Sequence, residues 1–506
     1  MTLPSDRHAG ACLHLTSLPG KYGIGTIGQS ALGFIDQLVS MGLKVWQFLP
    51  TGPTAYGDSP YQPLSTFAGN PLLVDVDYLV RLGLVSQSEA DRLGDLSMER
   101  VEYGRLIPLK TGLLQRAADR FDLHASAELK AGYDEYLEGN DQSWLHDYAL
   151  FRILKTRHDE RAWPQWEEAF VTRNPHALRR IEESARAELH EVKVVQFLFY
   201  HQWQTLRSYA RQNDVCLFGD LPIYIALDSA DAWAHPELLR IHRRGRPTHV
   251  AGVPPDYFSA DGQLWGNPLY DWQHHAATGY EWWIERLRFS MGLADVIRID
   301  HFRGFESYWA VAAESTTARE GAWEPGPGDA IFDAMRAALG DLPIVAEDLG
   351  VITEQVEALR YRQGIPGMKV LQFMADRLDF DLTEIDENCV CYTGTHDNDT
   401  TLGWFNGGPG DVRTAEEVEA MQKAVLANTN GRAESIHHDL IRLAFASAAR
   451  TAIAPMQDYL GLGSEARLNT PGVPSNNWRW RLLPGQITPE FCESALEMVH
   501  DSSRRW

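Results

Sequence analysis

The chain is short of several things at once, and each shortage closes a class of protein. Its five cysteines (Cys12, Cys216, Cys389, Cys391 and Cys492) are scattered through 506 residues, with no Cys-x-x-Cys pair and no ligand cluster. An odd, dispersed set does not build a disulfide framework and fits reduced thiols in a cytoplasmic protein. No stretch approaches the roughly 20 apolar residues that a spanning helix needs. The start, MTLPSDRHAGACLHLTS, has no basic segment leading into an apolar one, so no signal peptide is expected. Positive charge is outnumbered: 46 Lys and Arg against 69 Asp and Glu give a net −23, which disfavours nucleic acid or an anionic membrane as partner. Internal repeats and low-complexity tails are also missing.

What the chain has in quantity is aromatic surface. Many of its 16 tryptophans lie in Gly- and Pro-rich stretches rather than on periodic segments. Most aromatics pack cores, but aromatics set among Asp, Asn and Gln in loops offer the flat, hydrogen-bonding platforms that sugar rings require. Several short apolar runs end in polar or charged residues: ACLHLTS (11–17), KVWQFLP (44–50), VCLFGD (215–220), VIRID (296–300), PIVAED (343–348) and VCYTGTHD (390–397). Each follows a segment of helical periodicity. Before Val215, for example, Phe197, Tyr200, Leu206, Tyr209 and Ala210 recur at helical spacing.

Helix, short loop and buried strand in repetition describe a parallel sheet with crossover helices. At this length the pattern predicts an α/β fold, a (β/α)8 TIM barrel, with a doubly wound sheet as the alternative. The whole of 1–506 reads as one catalytic barrel. Residues 76–190 read as nearly continuous amphipathic helix, a helical insertion. Residues 240–272 read as a loop, rich in Gly, Pro and aromatics and too long to be an idle connector. Cys389 and Cys391, two apart, share one face of a strand and read as packed.

In parallel barrels the working face lies at the C-terminal ends of the strands. Four of the runs finish there in carboxylates: Asp220, Asp300, Glu347 with Asp348, and Asp397 with Asp399. A single Asp is most simply a helix N-cap; four strand ends alike, each in a polar cluster, are not explained that way. Convergent carboxylates without a Cys or Ser nucleophile suit divalent metal binding or glycoside chemistry. Arg298 stands two residues before Asp300, so both occupy one strand face. A cation there keeps Asp300 ionised without a metal, which favours glycoside chemistry. The Asp300 pKa is expected to be lowered by Arg298, and that of Glu347, behind the apolar run IVA, to be raised.

RIDHFRGFESYW, AEDLGVIT, GTHDNDT, GDLPIYIALDSADAWAHPEL, GVPPDYFSADGQLWGNPLYDW and GPTAYGDSPYQPLSTFAGNP together closely resemble the amylomaltases. These are 4-α-glucanotransferases of glycoside hydrolase family 77. The resemblance runs from about Ala11 to RLNTPGVPSNNWRWRL (467–482). It implies a barrel with inserted subdomains and a retaining double displacement on α-1,4-glucans, without cofactor or metal, in a monomer or small homo-oligomer. By position in the motifs, Asp300 corresponds to the nucleophile, Glu347 to the general acid/base and Asp397 to the third carboxylate.

Around them the resemblance places His301 and His396 on sugar hydroxyls and Asp220 beside Arg298 or a sugar hydroxyl. Tyr61 corresponds to the platform under the donor sugar, with Ser59 and Gln62 nearby, and Asn469 is a further polar candidate. It sets the 240–272 stretch over the cleft, with Tyr257, Phe258, Trp265 and Asn267 on the acceptor side. Holding an acceptor and excluding water favours transfer. A hydrolytic α-amylase-type enzyme is the alternative, and a non-catalytic glycan-binding barrel the alternative of another class.

The chain departs from the family at Ala310–Ala313, at Glu324 and Pro325 in WEPGPG, and at Ala55 in GPTAYG, beside Tyr56, which some members use in a second glucan site. The three carboxylates are untouched by these departures.

Overall fold

A computed structural model describes residues 6–242, 244–255, 261–408, 411–502 and 504. Eight parallel strands form its centre: His8–Cys12 (β1), Val45–Gln47 (β2), Cys216–Pro222 (β3), Val296–Asp300 (β4), Ile344–Ala346 (β5), Gly367–Val370 (β6), Cys389–Tyr392 (β7) and Thr451–Pro455 (β8). They lie in the order β6-β7-β8-β1-β2-β3-β4-β5. The ring draws closed where the Ala346 N–H of β5 donates to the Pro366 carbonyl, 2.8 Å away and just ahead of β6. The fold is therefore the (β/α)8 barrel. β1 lies earlier than ACLHLTS suggests, and β6 and β8 fall in stretches that show no strand pattern.

Strand alternation sorts the side chains into two cores. Val45, Phe218, Val296, Val345, Met368, Val390, Tyr392 and Ile453 fill the barrel interior. Their neighbours Trp46, Leu217, Ile297, Ile299, Ile344, Cys389 and Cys391 pack outward among the helices. Each such burial contributes about 1.5–3 kcal/mol for a large apolar side chain. The same alternation carries function: Val296 points inward, so Arg298 and Asp300, two and four residues on, point inward too. Cys389 and Cys391 do share one packed face.

Between β2 and β3 the chain runs through helices that include Val76–Arg81, Tyr103–His124, Ala127–Asn140, His146–Arg157 and Pro175–Ser184. Their starts are locally encoded. Ser126 accepts the Leu129 N–H, and Asn174 accepts those of His176 and Ala177 ahead of Pro175 at the first helical position. Part of this region builds its own core around Tyr148, Phe151, Leu154, Trp163 and Trp233. The long helix Arg186–Gln212 then leads back into β3.

Residues 240–272 are not loop throughout, as the sequence suggests. They contribute His249–Val253 and Gln263–Pro268 to an antiparallel four-stranded sheet, completed by Ser307–Ala312 and Ala322–Pro325. The two pair with each other, and the first also pairs with the distant Ser307–Ala312; runs this short and Gly-rich have no period of their own to announce a strand. Gly262 and Gly266 take positive φ of 66° and 77°, which only glycine adopts freely. Two of its strands precede β4 in the chain and two follow it.

Candidate active site

Arg298 is the centre of the strand-borne part of the site. Its Nη1 donates to Asp220 Oδ2 at 2.6 Å and its Nη2 to Asp300 Oδ1 at 2.8 Å. β3 and β4 are adjacent and pair Asp220 with Arg298 in register, so one guanidinium reaches both carboxylates. The Asp220 side chain is fully buried, while that of Asp300 keeps 31% exposure. Tyr61 adds a third partner, its hydroxyl donating to Asp220 Oδ2 at 2.9 Å. Burial works against the charge on Arg298, but the two carboxylates more than compensate and it stays charged.

The expected lowering of the Asp300 pKa does not hold. Burial raises this carboxyl above its ordinary range, and Arg298 offsets only part of the rise. The physical reason is that one cation is shared between two carboxylates, and Asp220 takes the closer contact.

Glu347 follows β5 and faces Asp300 without a cation of its own. Burial and the charge of Asp300 push its pKa up to about 7, while Arg298 and two backbone donors work the other way. Those donors are the His301 N–H to Oε2 at 2.7 Å and the Leu349 N–H to Oε1 at 2.9 Å. His301 reaches this position by adopting a left-handed φ of 52°. In a non-glycine residue such strain costs of order 1–3 kcal/mol and clusters at functional sites. The His301 ring meets Trp265 edge to face at 4.7 Å. Its Nε2 is buried without a hydrogen-bond partner among the described residues, and burial holds the imidazole neutral, with a pKa of about 3.

Asp397 lies beyond β7 in a loop and is 45% exposed. Asn469 Nδ2 donates to its Oδ1 at 2.6 Å, and His396 Nε2 lies 3.3 Å from the same oxygen. His396 in turn stacks on Tyr61, with centroids 5.1 Å apart and planes at 14°. The structure thus brings Asp300, Arg298, Asp220, Tyr61, His396, Asp397 and Asn469 into one connected group, and joins Glu347, His301 and Trp265 to it through Asp300.

Gln62 and Asn267 are engaged with each other, through amide contacts of 2.9 and 3.3 Å. Asn267 also donates to the Ile225 carbonyl. Ser59 Oγ accepts the Tyr61 N–H at 3.2 Å and so shapes the turn beneath that ring. Tyr257 and Phe258 lie outside the described residues. Among the described residues, no three His, Cys, Asp or Glu side chains form a group that could hold a metal ion.

Sequence reasoning missed several participants. Trp478, in a left-handed conformation (φ 64°), sets its ring 5.9 Å from Tyr61 and 5.8 Å from His396. A tryptophan in the Pro- and Asn-rich stretch 467–482 was the available signal. Arg467 Nη2 donates to the Asp397 carbonyl at 2.7 Å. Asp458, buried just after β8, accepts Thr393 Oγ1 at 2.7 Å, Thr401 N–H at 2.7 Å and Thr401 Oγ1 at 2.8 Å. It thereby clamps both ends of the loop that carries Asp397, and nothing local marks it.

A parallel barrel with carboxylates at the ends of β3, β4, β5 and β7, one of them holding a proton near neutrality, defines a carbohydrate-processing barrel enzyme. A family model described as 4-alpha-glucanotransferase, glycoside hydrolase family 77, matches residues 13–486. The 4-alpha-glucanotransferases of Synechocystis sp. and Thermus thermophilus are each 45% identical to this chain. The former match covers 95% of both chains, the latter all of both. Among solved structures, an amylomaltase from Streptococcus agalactiae in complex with acarbose superposes with a TM-score of 0.93 at 34% identity, over 99% of this chain and all of that one. The chain belongs to glycoside hydrolase family 77, the 4-alpha-glucanotransferases.

Proposed function

We propose that the protein transfers a segment of an α-1,4-glucan to the 4-hydroxyl of another glucan or of glucose by a retaining double displacement. Asp300 attacks the anomeric carbon as a carboxylate while Glu347 gives its proton to the glycosidic oxygen, releasing the reducing-end fragment. Glu347, now ionised, takes the proton of the acceptor hydroxyl. That oxygen displaces Asp300, restoring an α-linkage and both carboxyl groups. Asp397 and His396 hold sugar hydroxyls beside the reacting carbon, Tyr61 lies under the donor ring, and Trp265 with His301 covers the acceptor side.

The observation that carries this reading is the unequal treatment of two facing carboxyls. Asp300 touches a buried guanidinium at 2.8 Å, while Glu347 touches no cation among the described residues and titrates near 7. The first proton therefore resides on Glu347, the arrangement that an acid–nucleophile pair needs at neutral pH. Transfer over hydrolysis is supported by the family and by the aromatic cover at His301. A cytoplasmic setting in carbohydrate metabolism belongs to the same proposal. Its support is five cysteines without a disulfide, and no helix among the described residues is long and apolar enough to cross a membrane.

Incubation with maltotriose and separation of the products by size tests the proposal. Glucose together with longer maltodextrins is expected, and Asp300→Asn should abolish the rearrangement. Shorter sugars alone would establish a hydrolase, and unchanged maltotriose a non-catalytic binder.

A further inference from the structure

The small sheet that presents Trp265 to His301 carries a second tryptophan at its opposite edge. Trp323 lies on the outermost strand, directly across from Trp309, and the two indoles meet edge to face with centroids 5.3 Å apart. Trp309 uses its indole N–H on the Ala318 carbonyl at 2.9 Å. That of Trp323 makes no hydrogen bond among the described residues.

One face of the Trp323 ring is backed by Arg303, whose guanidinium carbon lies 3.9 Å from the ring centroid. Arg303 is itself buried and held, donating to the Val351 carbonyl in the loop after Glu347 and to Ser307 Oγ. The indole is thus fixed in orientation by a residue only two positions from His301, yet it remains 41% exposed, and Val351 is 60% exposed.

Single exposed apolar side chains are ordinary on protein surfaces. A ring pinned from below by a cation, with its indole N–H unused, is a different object. It presents a flat apolar patch and a hydrogen-bond donor together, the pair of features that fits the apolar face and the hydroxyl rim of a pyranose. Register also places it. Leu264, Gly252, Trp309 and Trp323 sit opposite one another across the four strands and share a face, so Trp265, next to Leu264, projects from the other. Three strand spacings of about 4.8 Å separate the two edges. Trp323 therefore stands at the far edge and on the other face of the sheet from the Trp265–His301 contact.

We propose that Trp323, backed by Arg303, is an additional platform for long α-1,4-glucans, outside the catalytic cleft. The proposal rests on the transferase reading for its ligand. Replacing Trp323 by Leu removes the flat ring but keeps apolar bulk over Arg303; replacing it by Phe keeps a ring. Trp323→Leu is expected to raise KM for amylose about three- to tenfold, the weight of one aromatic contact. It should leave kcat, and KM for maltotriose, unchanged, while Trp323→Phe stays within about twofold of the parent on both substrates.

Amylose binding by affinity electrophoresis in an Asp300→Asn background reads the platform without turnover and should weaken by the same factor in Trp323→Leu. Equal amylose binding with and without the indole overturns the platform. So does an equal loss on maltotriose and amylose, or a Phe variant as impaired as the Leu variant. If the parent fails to rearrange maltotriose, the transferase reading falls, and the binding arm still decides the platform.

Discussion

Asp300 and Asp397 both stand at the mouth of the same barrel, but they are held in opposite ways. Asp300 ends a strand and is gripped by a buried cation, itself braced by Asp220 and, through it, by Tyr61. Asp397 rides a loop and is positioned by hydrogen bonds from a distant segment, Asn469 donating to its carboxylate and Arg467 to its backbone carbonyl. The strand-borne group is set by electrostatics that cannot relax without exposing a buried charge. The loop-borne group is set by hydrogen bonds that water can replace. Removing a brace should therefore damage the whole protein in the first case and only the chemistry in the second.

The largest expected effect is that of Arg298→Met. It strands the fully buried Asp220 with only the Tyr61 hydroxyl as partner, a loss of about 3–5 kcal/mol for breaking a buried pair from one side. Thermal and denaturant unfolding measure it. Adding Asp220→Asn to the same chain should recover most of that stability and none of the turnover. A melting temperature in Arg298→Met equal to that of the parent would erase the contrast between the two carboxylates.

Glu347 sharpens the comparison through pH. In the proposed mechanism its protonated form is the acid, so kcat/KM should fall as pH rises through about 7. Its folded pKa lies above the unfolded value of about 4.5, so the fold binds this proton more tightly. The resulting stability is present below pH 4.5 and lost as pH rises towards 7. Glu347→Gln should lose that slope, visible as a smaller drop in melting temperature across the same window. Donors whose leaving group needs no proton, such as a maltosyl fluoride, should restore its first step. If Glu347→Gln is as inactive on the fluoride as on maltotriose, the acid assignment fails.

The smallest effect belongs to the loop. Asn469→Ala removes one short hydrogen bond to Asp397 and should lower kcat about tenfold. Stability should stay within about 0.5 kcal/mol of the parent, as for a solvated position.

How much of this was legible in the chain follows the same division. VIRID reads as a strand with Arg298 and Asp300 on one face because period two holds and the apolar positions are large. β6 (GMKV) is interrupted by Lys369, and β8 (TAIAP) is built of small residues and proline. Neither carries the hydrophobic weight that marks a strand, though each is buried between neighbours as firmly as the rest.

The barrel could be inferred because enough strands announce themselves; the small antiparallel sheet could not, because its central pairing, Gly252 with Trp309, joins segments on either side of β4. The carboxylates were visible at strand ends. The Asp458 clamp was not, and Asp220 was placed only as beside Arg298 or a sugar hydroxyl, because each depends on which elements become neighbours. The mistaken direction for Asp300 has that same origin: the sequence shows the cation beside it but not the burial that outweighs it.

The sharing of Arg298 between Asp220 and Asp300 has a consequence for the reaction cycle. At rest Arg298, Asp220 and Asp300 sum to one net negative charge, uncompensated within the trio and facing the place where a sugar ring turns cationic on the way to bond cleavage. In the proposed covalent intermediate, with Asp300 esterified by the glucan, the trio becomes a neutral one-to-one pair of Arg298 with Asp220. The buried charges are better balanced in the covalent state than in the free enzyme. On that mechanism an intermediate whose buried charges balance is held longer, which gives an acceptor glucan time to bind.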